Sequence, residues 1–336
     1  MDHNITDNLK IGVNTNFSQL ERTGISPAAS TGSATTNIMV SVWGYKPVNG
    51  STSNEDSLID LDIDPANDYR VNPLLNLNNL YRFTETQSLN TNAYLEYTIV
   101  PSLKLRVSNG IIENRVKSES FNNTNTYYGR PGNNNGINGS VSYSQSSNWL
   151  NENTLTWKPK LSKKHTLDVL GGFTIQKQTS KSYGSSANQI PVEYESLGIA
   201  SLDKGVALRV DTFQSVWTMA SFLSRVNYNF NSKYFLTASM RADGSSKFPS
   251  ENHWGYFPSG ALSWKFKNEK LLKSSKILSD GKIRASYGQT GNNRVGDFDY
   301  LTTYYNPIGN SYVFNNQYVE GVVPLTLGNS KLKWET

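Results

Sequence analysis

The amino-acid sequence predicts an all-β fold: an antiparallel, up-and-down transmembrane β-barrel segment. Three observations carry that reading. Apolar and polar residues alternate with period two along about nine stretches. The connections between those stretches alternate between short and long. Aromatic residues bracket the stretches at intervals close to the height of a lipid-facing band.

The elements follow in order. Leu9, Ile11, Val13 and Phe17 alternate with Lys10, Gly12, Asn14 and Asn16. In NAYLEYTIVPSLKLRV, Ala93, Leu95, Tyr97 and Ile99 share one parity. Pro101-Ser102 turns the chain, and Leu103, Leu105 and Val107 follow against Lys104 and Arg106. The segment from Trp149 to Trp157 is weaker, with Asn151 and Asn153 on its apolar parity. Leu167, Val169, Phe173 and Ile175 then oppose Thr166, Asp168, Thr174 and Gln176. FLSRVNYNFNSKYFLTASMRADGSSKF, residues 222–248, holds the clearest hairpin. Phe222, Val226, Tyr228 and Phe230 oppose Arg225, Asn227 and Asn229. After Asn231-Ser232-Lys233, residues Tyr234, Leu236, Ala238 and Met240 oppose Thr237, Ser239 and Arg241. Tyr256, Leu262, Trp264 and Phe266 oppose Ser259, Ser263 and Lys265, and Ile283, Ala285 and Tyr287 oppose Lys282, Arg284 and Ser286. NEKLLKSSKILSDGK reads as a brief helix covering a turn, with Leu271, Leu272, Ile277 and Leu278 in one stripe.

Short connections lie near 101–102, 158–165, 231–233 and 267–280, and residue 1 is expected in another short turn. Long ones lie near 20–85, 116–148, 179–213, 242–254 and 290–332, rich in Asn, Gly, Ser and Thr. In an up-and-down sheet successive connections sit at opposite ends, so all short turns share one end. A Greek-key sandwich gives no reason for that. Outer-membrane barrels do, with short periplasmic turns and long extracellular loops. Trp149 and Trp157 bracket one strand, and Tyr256 and Trp264 another. Eight residues at ~3.3 Å, tilted by ~45°, span roughly 19 Å against a lipid-facing band of ~25 Å. One face of residues 222–241 is therefore expected to meet hydrocarbon and the other a wet lumen.

Composition bounds the function. The chain has 336 residues, no cysteine and a formal charge of +5. No apolar run approaches the ~20 residues of a membrane helix. A mean hydropathy of −0.53 does not exclude a membrane barrel, because only alternate residues face lipid. The lack of cysteine removes thiolate nucleophiles, disulfides and Cys-ligated metals. The basic residues are dispersed, with small clusters at Lys158/Lys160/Lys163/Lys164 and Lys267/Lys270/Lys273/Lys276. They read as solvated turns and not as a nucleic-acid surface.

Catalytic chemistry is not expected. His3 and His165 fall on the short-turn side and His253 in a long loop, so they cannot share a metal or a triad. Asp60, Asp62 and Asp64 alternate in LIDLDID but lack the Gly and distal Glu of an EF-hand loop, which favours a solvated acidic loop over calcium. GRPGNNNGING lacks the Lys-Ser/Thr of a phosphate loop. Asp243-Gly244-Ser245-Ser246 is expected as a tight turn at a strand tip. Tyr127, Tyr128 and Trp254 are loop aromatics that either stack on sugar rings or pack against a lid or neighbouring loops. No catalytic, cofactor-binding or metal residue is assigned, and substrate-binding residues stay unassigned.

RADGSSKF, HWGYFPSGALSWKF, KIRASYGQTGNN and GNSKLKWET resemble the C-terminal barrel region of the SusC/RagA family of TonB-linked outer-membrane transporters. DHNITDNLKIGVNTNFS, NAYLEYTIVPSLKLRVSNG and WLNENTLTW extend the resemblance along nearly the whole chain. The resemblance implies a segment of a 22-stranded barrel in the outer membrane of a Gram-negative bacterium. It implies uptake of glycans or peptides with a SusD-like surface lipoprotein, energised by the TonB–ExbB–ExbD complex through a plug, and no enzyme activity. The sequence shows no signal peptide, TonB box or plug, so residues 1–336 are expected to be a piece of such a transporter, whose open edges make it aggregate when expressed alone. The other readings weighed are a structural or adhesive outer-membrane barrel, a non-functional fragment, a barrel-embedded hydrolase, and a soluble β-rich sugar-binding module.

Overall fold

The computed structural model describes residues 1–25, 38–45, 72–273, 277–305 and 311–336. Asp60, Asp62, Asp64 and Lys276 lie outside them. The main element is a sheet of ten strands, each bonded to its neighbours in chain order. These are β1 (Asp2–Thr6), β2 (Leu9–Thr23), β3 (Leu80–Val100), β4 (Leu103–Asn122), β5 (Asn138–Trp157), β6 (His165–Asn188), β7 (Val206–Phe230), β8 (Tyr234–Ser245), β9 (Trp254–Trp264) and β10 (Ile283–Gly288). All neighbouring pairs are antiparallel. The up-and-down order is as expected, and the sheet is open, with β1 and β10 at its edges.

Among the described residues the main sheet has ten strands against about nine expected. Residue 1 does not sit in a turn. The chain enters β1 at Asp2, and the turn falls at Asp7-Asn8, where Thr6 Oγ1 accepts from the amides of Asn8 (3.3 Å) and Leu9 (3.1 Å). The long connections are shorter than expected because the strands run on. The loop expected at 116–148 is 123–137, that at 179–213 is 189–205, and that at 242–254 is 246–253. β4 and β5 pair without interruption from Leu103↔Trp157 to Asn122↔Asn138.

The connection expected at 20–85 runs 24–79 and carries α1 (Ile38–Gly44) and α2 (Pro73–Asn79). The Asn72 side chain caps α2 by accepting from Leu74 and Leu75 N–H, both at 3.1 Å, and Pro73 opens the first turn. The segment after β10 holds two small two-stranded sheets: β11 (Thr303–Tyr305) with β14 (Val323–Thr326), and β12 (Ser311–Phe314) with β13 (Gln317–Glu320).

The helix expected in NEKLLKSSKILSDGK does not form among the described residues. A 3-10 turn at Phe266–Asn268 is followed by one bonded turn, in which Leu272 and Lys273 N–H donate to the Glu269 carbonyl. Leu271 and Ile277 are 95% and 100% exposed, so these two side chains of the expected stripe pack on nothing among the described residues.

Register assigns each side chain to a face, because successive residues point to opposite sides. One cross-strand row reads Ile11, Leu95, Val107, Asn153, Phe173, Phe222, Ala242, Tyr256. The adjacent row, on the opposite face, reads Glu96, Arg106, Thr154, Gly172, Leu223, Arg241, Phe257. The first face is apolar but uncovered by protein: Phe222, Tyr256 and Leu262 are 52%, 59% and 62% exposed. A water-soluble sheet buries such a face.

Aromatics edge this apolar face. His165, Phe230, Tyr234, Trp264 and Ile283 form the row nearest the short turns. Ile111, Trp149, Lys177 and Thr218 form a row at the other margin. From His165 to Ile175 the β6 backbone rises about 33 Å, or about 23 Å along a normal tilted by ~45°. That agrees with a lipid-facing band of ~25 Å.

Glu269 ties down the short-turn margin. Its carboxylate accepts from Lys233 Nζ (2.7 Å), Tyr234 Oη (2.8 Å) and Trp264 Nε1 (3.2 Å). The Lys233 ammonium first, then the tyrosine and tryptophan donors, lower its pKa from 4.5 to about 2. A depressed carboxylate pKa stabilises the folded form above the unfolded pKa and loses that contribution as pH falls through the folded one. Hydrogen exchange of residues 265–273 is therefore expected to rise as pH drops from 4.5 toward 2, after correction for intrinsic rates. Glu269→Gln should abolish that rise; a rise that persists in the variant assigns it elsewhere.

The inner wall and its long-loop rim as the candidate functional site

The polar face forms a continuous hydrogen-bonding wall. Toward the long loops one row reads Ser88, Asn114, Ser146, Ser180, Ser215 and the next Asn90, Ile112, Asn148, Gln178, Trp217. Ser88 Oγ donates to Asn114 Oδ1 at 2.7 Å, Ser120 and Ser140 hydroxyls meet at 2.8 Å, and Asn148 Nδ2 donates to Gln178 Oε1 at 3.1 Å. Across Thr84–Asn92, Ser108–Ser120, Ser140–Glu152 and Thr174–Ser186, this face carries one ionisable side chain, Glu152. At the same height the opposite face carries Glu85, Glu113, Arg115, Lys117, Glu119, Lys177 and Lys181. On β3 to β6 charge and neutral polarity are thus segregated by face at this height, whereas β7 carries the Arg209–Asp211 pair inward.

The rim is held by a small core. Phe121, Ile137 and Ile190 are buried together, with Leu202 against them. Leu202 comes from the 3-10 segment Val192–Lys204. Thr124 N–H and Oγ1 both donate to Glu195, at 3.1 and 2.9 Å, binding the 123–137 loop to that segment. Arg82 donates to the carbonyls of Tyr81 (2.8 Å) and Phe121 (3.1 Å) and to Asn122 Oδ1 (2.7 Å). A groove of about 300 Å³ runs between the loops, lined in part by Thr124, Pro131, Asn133, Ile190 and Pro191. A Cβ on Gly129 would sit 2.2 Å from the Asn123 carbonyl oxygen and 2.5 Å from that of Asn122, both backbone atoms that cannot rotate away. Gly129→Ala is therefore expected to unseat the loop, read as faster proteolysis within 123–137 at unchanged band stability; unchanged cleavage would contradict this packing.

A second anchor lies at the far side of the wall. Lys247 Nζ pairs with Asp297 (3.2 Å), donates to the Val295 carbonyl (2.9 Å) and lies 5.4 Å from the Trp217 ring centroid. Asp297 also accepts from Ser215, and Asn293 Nδ2 approaches Met219 Sδ at 3.8 Å. Ser215, Trp217 and Met219 all point inward, so residues 293–297 lie against the inner wall and narrow it. Because the chain has no cysteine, a single Asn293→Cys reports on this directly. Adding Lys247→Ala is expected to raise its thiol-labelling rate several-fold, whereas an unchanged rate would mean the segment is held otherwise.

The sequence-singled residues fall as follows. His165 Nδ1 meets Tyr228 Oη at 2.6 Å in the short-turn aromatic margin. His253 precedes β9 at the long-loop end, and His3 is in β1, so His165 and His253 lie at opposite ends as expected. Trp254 is not a loop aromatic. It opens β9 on the outward face and stacks on Phe222 at 5.9 Å. Tyr127 and Tyr128 pack edge to face at 5.2 Å, and the Arg130 guanidinium covers Tyr127 at 4.3 Å. Asp243-Gly244-Ser245 is not a turn but the end of β8, with Asp243 buried and accepting from Arg241 Nε at 2.7 Å. The chain turns just beyond it, from Ser246. Arg82, Glu195 and Asp297 were not foreseen; the only signal was Arg82 standing between Tyr81 and Phe83.

The family model for TonB dependent receptor-like, beta-barrel proteins matches residues 14–336. The chain belongs to that family. TonB-dependent receptor P3 of Formosa agariphila is 29% identical over 345 residues, covering 100% of this chain and 33% of its own length. TonB-dependent receptor SusC of Bacteroides thetaiotaomicron is 43% identical over 122 residues, 35% of this chain and 12% of its own. The solved RagAB peptide importer in its closed-closed state shares the fold, with a TM-score of 0.80 at 22% identity over 99% of this chain and 36% of that one. The chain thus spans about a third of the length of the relatives it matches end to end. The SusC/RagA resemblance is borne out. TonB-dependent receptors of this kind are transporters and receptors of the Gram-negative outer membrane, so the apolar face of the sheet is the lipid face and the polar face the lumen wall.

Proposed function

We propose that residues 1–336 are one continuous barrel segment of an active outer-membrane transporter that imports large nutrients, glycans or peptides. In this reading the protein is a transporter without enzyme activity. A SusD-like surface lipoprotein closes the long-loop rim. TonB, with ExbB and ExbD, supplies energy through a plug inside the barrel.

The observation that carries the reading is the hydrogen-bonding lumen wall, nearly free of charge over the long-loop half of β3 to β6. Ser, Thr, Asn and Gln exchange hydrogen bonds with hydroxyl- or amide-rich cargo at little cost, and the scarcity of fixed charge over that stretch keeps cargo from being held there, as transport requires.

The test is growth of a strain lacking the gene on purified oligosaccharide or on peptide as sole carbon source, repeated in a strain lacking TonB. Loss of growth on one substrate class in both strains is the expected result. Undiminished growth on every substrate would replace this function with an adhesive or structural one.

A further inference from the structure

The lipid face of β5 to β10 carries no Asp, Glu or Arg and two lysines, Lys177 and Lys181. The acids of this face lie on β2 to β4, where they are already engaged. Glu113 pairs with Arg115 at 2.6 Å, Glu119 with Lys117 at 2.7 Å, and Glu85 accepts from Gln87 at 2.7 Å. Neither Lys177 nor Lys181 has a carboxylate within ion-pair distance among the described residues. The strand between them and the acids, β5, is neutral on this face.

Their depth is specific. Lys177 is level with Trp149 at the upper margin of the apolar band, and Ile175 and Phe173 lie directly below it. Lys181 stands four residues further along β6, about 13 Å of strand or about 9 Å of height at a ~45° tilt. The polar layer of one leaflet is about 5–7 Å thick, from a bilayer of ~40–45 Å around a core of ~30 Å. The two ammonium groups therefore bracket the headgroup layer. Thr179 lies between them on the same face, opposite Ser147, and Gln145 lies opposite Lys181. Two extended lysine side chains can close on one anion above Thr179, with the two hydroxyls as further donors.

We propose that Lys177, Thr179, Lys181 and Ser147 form a binding site for the phosphate of a phosphorylated outer-leaflet lipid, whose acyl chains pack on Phe173, Ile175 and Trp149. Ammonium–phosphate hydrogen bonds are charge-assisted, and the apolar strip beneath selects a lipid over a free ion.

The experiment is native mass spectrometry of the intact protein in detergent, titrated with lipid A, with dephosphorylated lipid A and with inorganic phosphate. The double variant K177Q/K181Q should weaken lipid A binding about 25-fold, two lysines at about fivefold each. K177R/K181R should restore it to within a factor of about two, and K163Q/K164Q at the opposite rim should leave it unchanged. Dephosphorylated lipid A should bind the native protein as weakly as lipid A binds the double variant. Equal binding of lipid A to the native protein and K177Q/K181Q would overturn the site. Displacement of lipid A by equimolar inorganic phosphate would overturn its assignment to a lipid.

Discussion

Val226→Arg is expected to cost about 2–4 kcal/mol of stability in lipid, as arginine does at the midplane of a barrel's lipid face. Val226 shares its row with Val169, Ala238 and Gly260, none of which offers a polar atom from its side chain. Asn227, one residue on, faces the lumen beside Asp168 and accepts from Thr237 Oγ1 at 2.9 Å. Asn227→Arg loses that hydrogen bond, worth about 1 kcal/mol, but places its charge next to the Asp168 carboxylate. Its net cost should stay within about 1 kcal/mol. Urea titration of the intact protein folded into lipid vesicles measures both. Equal costs for the two variants would mean that the two faces do not see different solvents.

Arg82→Ala should loosen the rim without touching the membrane band. The guanidinium is the shared donor for two backbone carbonyls and Asn122 Oδ1, and Asn122 in turn donates to Asn138 Oδ1 at 2.7 Å. Removing a charged donor from half-buried acceptors costs about 2–3 kcal/mol. That corresponds to about 30–150-fold faster hydrogen exchange, confined to 123–137 and the adjoining ends of β4 and β5. Faster exchange in the apolar band as well would show that Arg82 supports the whole sheet and not the rim alone.

The lower half of each strand was legible because it has two solvents. Where Phe222 meets lipid and Arg225 meets water, hydrophobicity alternates and the strand can be counted. Above Trp149 both faces are wet and the signal vanishes. On β5, Tyr143, Gln145 and Ser147 face outward while Ser142, Ser144 and Ser146 face inward, and no period survives. Those residues read as loop, yet ladder hydrogen bonds carry them as strand. β1 escaped because it is short: DHNIT holds one apolar side chain, Ile5, too few to show a period. The helix expected at 268–282 went the other way: its stripe was visible, yet Leu271 and Ile277 stand in solvent and the described residues there form one bonded turn. The rim was legible only in part, because Arg82, Thr124 and Glu195 meet across loops far apart in sequence.

The length of the middle strands has a consequence for what reaches this protein from outside. β6 and β7 run for 24 and 25 residues, about 80 Å of backbone and about 55 Å of height at a ~45° tilt. The lipid takes only about 25 Å of that. The wall therefore rises as a chimney about 30 Å above the apolar band, roughly 23–25 Å of it beyond the headgroup layer, and its mouth, built on residues 123–137 and 192–204, stands clear of the lipid surface. In the proposed transport, cargo is met at that height before it nears the membrane. So is anything else of macromolecular size: an antibody, a protease or a phage fibre reaches the mouth without crossing the headgroup layer.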